Sequence, residues 1–93
     1  MTYTMEDWCI YMAPYGLCLV GLCPEKPNRM HPDLPVITSP VEAIIIEPIR
    51  HTVVTRNSMY VLGTYKQYPL TTPMTEADAI SAIEDWEAVR KAT

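Results

Sequence analysis

The 93-residue chain has no phenylalanine, only three glycines, two histidines and three lysines, and each shortage closes off a class of chemistry. Gly16, Gly21 and Gly63 form neither a dinucleotide fingerprint nor a Walker loop, and Lys26, Lys66 and Lys91 stand apart from them. No phosphate cradle is predicted. With His31 and His51 as the sole imidazoles, a Ser or Cys nucleophile lacks an evident base, and no Gly-x-Ser-x-Gly elbow is present. Positive charge is scarce as well: seven Lys and Arg face eleven Asp and Glu, a net charge of −4. That balance is the opposite of the footprint with which proteins neutralise phosphates, so direct nucleic-acid binding is not expected.

Long apolar runs are missing too. The uncharged stretch from Trp8 to Cys23 spans sixteen residues and is interrupted by Pro14, Gly16 and Gly21, short of the roughly 20 residues of a spanning helix. It reads as core, and no membrane contact is expected. No cation precedes Lys26, and Glu6 and Asp7 stand near the start, so no secretory leader is predicted. Cys9, Cys18 and Cys23 are an odd number and cannot complete a disulfide framework. Reduced thiols in the cytosol follow. Cys18, Cys23 and His31 lie within fourteen residues, yet their spacing lacks the paired ligands of a zinc site. The cysteines therefore read as small apolar core residues, with no metal and no cofactor.

What the chain has in quantity is aliphatic: eight Ile, seven Val and six Leu in a composition that is 48% hydrophobic. That suffices for one folded domain over residues 1–93. Prolines mark where regular structure cannot run. Seven of nine fall between Pro14 and Pro48, and four of them make residues 23–35 an irregular, extended loop.

The tail predicts an amphipathic helix over residues 75–91. Thr75 is placed as N-cap, acids occupy the first turn, and Arg90 and Lys91 the last. Ala79, Ile80, Ala82, Ile83, Trp86 and Val89 form its apolar arc, opposite Asp78, Ser81, Glu84 and Asp85. Upstream, Val41–Glu47, His51–Thr55 and Met59–Tyr65 have strand composition, and their short connections favour an antiparallel meander. Leu17–Leu22 supplies a further strand, and Thr4-Met-Glu-Asp predicts a short helix from Thr4 to Met12. The expected fold is α+β: a small antiparallel sheet of about four strands packed against the C-terminal helix.

Thr38-Ser39-Pro40-Val41, followed by Thr52-Val-Val-Thr-Arg-Asn-Ser-Met-Tyr-Val-Leu-Gly63, resembles a pattern of small uncharacterised proteins of phages and mobile elements. There a Thr-Ser leads into one strand, and a Thr-x-Asn-Ser-x-Tyr-x-Leu-Gly segment forms a turn and the next. The resemblance implies a setting in which such proteins inhibit host defence machinery, anti-CRISPR proteins among them. It carries no catalytic residues.

With no catalytic motif, and with Tyr, Arg and acids in supply, the sequence points to recognition. The expected activity is that of a non-enzymatic protein-binding inhibitor that blocks a surface of a larger host protein or nucleoprotein complex. Arg56, Asn57, Tyr65, Tyr68, Asp78, Glu84 and Asp85 are the candidate partner-binding residues. The acids of the helix could imitate a row of phosphates. An accessory subunit that buries apolar surface in a homo-oligomer, a homodimer included, is the alternative.

Overall fold

The computed structural model describes residues 1–26, 34–69 and 71–93. Strands β1 (Thr2–Ala13), β2 (Gly16–Leu22), β3 (Val36–Ile37), β4 (Val41–Ile45), β5 (Thr52–Thr55) and β6 (Met59–Leu62) precede helix α1 (Glu76–Ala92). They form one six-stranded sheet in the order β3-β2-β1-β6-β5-β4. The fold is α+β as expected, but the sheet is larger than four strands and mixed. The β4-β5-β6 segment is an antiparallel meander, whereas β1 enters beside β6 in parallel, Thr2 opposite Met59 and Met5 opposite Leu62.

The predicted N-terminal helix is not formed: Thr4 to Met12 lies within β1. Tyr3, Met5, Trp8 and Ile10 all point into the core, a strand alternation that changes phase between Met5 and Trp8. A β-bulge between Glu6 and Cys9 makes the change, with Asp7 in the left-handed region at φ 51°. The bulge is tied down from the 63–68 segment. The Thr64 amide donates to Glu6 Oε2 at 2.9 Å, the Asp7 amide donates to Thr64 Oγ1 at 3.2 Å, and the Tyr68 hydroxyl donates to the Asp7 carbonyl at 2.8 Å. The Thr64 amide, and after it the Thr64 hydroxyl donating to the same Glu6 oxygen at 2.8 Å, hold the Glu6 carboxyl below its usual range. Any side chain at Gly63 would collide with the Glu6 carboxylate, so the absence of a Cβ there makes room for it.

The sheet curls, bringing β2 against β4, and its concave face forms the core with α1. Met5, Trp8, Leu19, Val53, Tyr60 and Ile83 are its largest fully buried members, each removing apolar surface worth about 1.5–3 kcal/mol from water. Cys9, Cys18 and Cys23 are buried, and burial pushes the Cys18 thiol up. Of the predicted loop 23–35, residues 27–33 lie outside the described residues, His31 among them.

Helix α1 begins as expected, with Thr75 Oγ1 accepting the Asp78 amide. Its buried stripe is rotated from the apolar arc: Ala79, Ile83 and Glu87 are buried, Ile80 and Trp86 are half-buried, and Ala82 and Val89 are exposed. The cause is the helix's position across the open edge of β4. The Glu87 carboxylate accepts the Ile44 amide at 3.1 Å and receives both Arg90 Nε and Nη2 at 2.7 Å. It serves as a side-chain substitute for a neighbouring strand.

Candidate functional site

Pro48 interrupts the chain between β4 and β5, and residues 46–51 leave the sheet as an Ile-Glu-Pro-Ile-Arg-His loop. The imidazole of His51 anchors it. His51 Nδ1 accepts the Glu47 amide at 3.1 Å, which leaves the proton on Nε2, directed at Glu84 Oε2 on α1 at 2.8 Å. The His51 side chain is 9% exposed, while the Glu84 side chain is 45% exposed. The pair therefore closes the base of an open cleft.

That cleft, of about 730 Å³, lies between the loop and α1. Trp8, Leu62 and Ile80 line it with apolar surface; Glu47, Glu76, Glu84 and Arg50 bring charge to it. Trp8 is held by its indole N–H on the Gly63 carbonyl at 3.1 Å and by the edge of Tyr65, ring centres 5.1 Å apart. On the other side of the loop a shallower groove of about 330 Å³ runs over Thr52 and Val61. Ile49 lines both grooves and is 91% exposed, with Ile45 and Ile46 exposed beside it. An exposed aliphatic crest thus divides an acid-bearing cleft from an apolar groove.

Both ring nitrogens of His51 are occupied, so the imidazole as it stands locks the loop to the helix and offers no free lone pair as a base. Among the described residues no cluster of three or more His, Cys, Asp or Glu is placed to hold a metal, and no helix is long and apolar enough to cross a membrane.

The sequence-predicted residues are scattered. Glu84 lies in the cleft. Asp78 and Asp85 are exposed on α1. Arg56 and Asn57 are exposed at the β5–β6 turn, the far end of β5 from the loop, with Asn57 Nδ2 donating to Ser39 Oγ at 2.9 Å. Tyr65 and Tyr68 are half-buried, and their hydroxyls are engaged within the chain, that of Tyr65 with Gln67 and Met74 and that of Tyr68 with Asp7. Burial pushes both phenols up. Sequence reasoning passed over Ile49 and Arg50, and weighed His51 only for catalytic or metal chemistry. The available signal was an aliphatic-cation pair directly after a proline in a short connection.

Compared with family models, curated proteins and solved structures, the chain matches none.

Proposed function

We propose that the protein is a non-enzymatic binding module that uses the 46–51 loop to cover a basic, partly apolar surface on a larger host protein or nucleoprotein complex. The observation that carries this reading is Ile49, 91% exposed on the crest beside a cleft to which α1 contributes Glu76 and Glu84. Exposed aliphatic surface next to carboxylates favours a partner that presents lysine or arginine around an apolar patch. Nucleic-acid-binding surfaces have that character, so occlusion of one is the mode of inhibition, as the resemblance to phage and mobile-element proteins suggests for the host cytosol. The net charge of −4 steers such a partner in and keeps nucleic acid itself away.

The test is capture from host lysate with the wild-type chain, Ile49→Asp and Glu76→Lys in parallel. Retention of one complex by the wild type, its loss with Ile49→Asp, and weaker capture with Glu76→Lys or at raised salt support the reading. Equal capture by all three chains, or none by the wild type, overturns it.

A further inference from the structure

We infer that His51 is a pH-operated latch: protonation of its imidazole releases the 46–51 loop from its anchor while the ring stays bound to α1. This is regulation of the surface proposed above, and its consequence for a partner rests on that reading. The latch itself is a property of the free chain.

The geometry of the closed loop fixes the charge of the ring. A backbone N–H can only donate, so the Glu47 amide at 3.1 Å requires an unprotonated Nδ1, and the one ring proton lies on Nε2 toward Glu84 Oε2 at 2.8 Å. That is the neutral imidazole. A second proton makes both nitrogens donors, and the two contacts then respond in opposite ways. On the helix side Nε2–H keeps its acceptor, and the contact becomes an ion pair. On the loop side Nδ1–H faces the Glu47 N–H, two donors with no acceptor between them, so that bond is lost.

The ring is held where it is. Its side chain is 9% exposed, the His51 carbonyl accepts the Leu62 amide at 3.0 Å, and β5 begins at the next residue. The loop is free to yield. Beyond the last register pair, Ile45 with Thr52, residues 46–50 are all exposed. Glu47 ties them back, through its amide on His51 and through its carboxylate, which accepts the Thr52 hydroxyl at 3.4 Å. Losing the shorter bond frees the crest that carries Ile49.

Charged groups face the ring from three elements. Helix α1 brings Glu84 in contact and Glu76 along the cleft, the loop brings Glu47 and Arg50, and β1 brings Glu6 from behind Gly63, while β6 adds only the uncharged Leu62 and Gly63. Carboxylates as a class titrate near about 4 and guanidinium above about 12, whereas histidine changes charge between about pH 5 and 8. A loop transition in that window therefore belongs to an imidazole. Its sign follows from the closed geometry: the loop is anchored while the ring is neutral and opens as pH falls.

The test is the imidazole-nitrogen and backbone-amide spectra of the free His31→Gln chain, in which His51 is the sole imidazole, recorded from about pH 8 to 5. At the upper end an unprotonated Nδ1 and a Glu47 amide protected from exchange are expected. Toward the lower end Nδ1 is expected to be protonated, Glu47 protection to fall about tenfold, and the Val53 and Ile83 amides to stay protected. Adding His51→Asn, whose side-chain oxygen can accept the Glu47 amide without titrating, should keep the loop closed throughout. Adding Glu84→Gln instead, which removes the charge that the imidazolium meets, should move the opening to lower pH. A Nδ1 unprotonated down to the lowest pH, a Glu47 amide still protected once the ring is charged, or an opening that His51→Asn repeats overturns the latch. Partner capture at both ends of the range separates the two proposals. The spectra decide the latch, and capture indifferent to Ile49→Asp overturns the binding reading alone.

Discussion

Glu84 and Glu87 lie three residues apart on the same helix and do opposite things. Glu87 is 3% exposed and reaches the edge of β4; Glu84 is half-exposed and reaches His51 at the base of the cleft. The first is held by the Ile44 amide and two bonds from Arg90, which bring its carboxyl down to about 2, the Arg90 hydrogen bonds contributing most. The second shares one oxygen with a neutral imidazole and keeps the rest of its carboxylate toward solvent. What each acid meets sets its role: an unpaired strand amide recruits one inward, and the His51 imidazole of the 46–51 loop holds the other at the base of the cleft. Helical period alone places both on the polar side.

The largest effect is expected from Glu87→Ala. It leaves the Ile44 amide without a partner in a buried position and strips Arg90 of its carboxylate, a loss of about 2–4 kcal/mol. Thermal unfolding should show a fall of the midpoint by about 10–20 °C, and hydrogen exchange should show faster loss of protection at Ile44 than at Val53. A midpoint within a few degrees of wild type would mean that the β4 edge does not depend on this carboxylate.

The same group gives a pH test with a definite sign. Its folded-state value of about 2 lies below the ordinary carboxylate value of 4.5, so its contribution is fully present above 4.5 and is lost as pH falls toward 2. Wild-type stability should therefore decline across that window. Glu87→Gln should be less stable at neutral pH and show a shallower decline, measured by urea unfolding at pH 7, 4 and 2.5.

The contrast also shows where sequence was informative. Helix α1, β2 and the β4–β6 meander were legible because local period, capping and turn chemistry act over a few residues. β1 was not. Glu6 and Asp7 break its alternation, and the bulge that repairs it depends on Thr64 and Tyr68, more than fifty residues away. The parallel β1–β6 pairing has the same distant origin. Glu84 was legible as an acid of the helix, but its bond to His51 and the inward turn of Glu87 depend on where the helix crosses β4, which no local pattern encodes.

A smaller change is expected from Glu84→Ala. One partner is half-exposed, so the ion-dipole contact to His51 is worth about 0.5–1 kcal/mol. The functional consequence should exceed the structural one, because the loop loses its link to α1 and the cleft loses a carboxylate. Nitrogen–proton correlation spectra should show shifts confined to residues 46–51 and the middle of α1. Shifts spread through the core would place Glu84 with Glu87 as a structural acid.

Ile49→Asp should affect stability least, by no more than about 0.5 kcal/mol, because a side chain that is 91% exposed loses almost no burial on replacement. Yet it puts a charge on the crest between the two grooves, where a partner's apolar surface must be desolvated, and an unpaired charge buried there costs several kcal/mol. Stability and recognition are thereby separated: Glu87→Ala should weaken binding only in proportion to the unfolded fraction, whereas Ile49→Asp should abolish it in a fully folded chain. Measuring midpoint and partner capture on the two variants together distinguishes a loop that recognises from one that merely connects two strands, since a connecting loop would leave capture by Ile49→Asp at the wild-type level.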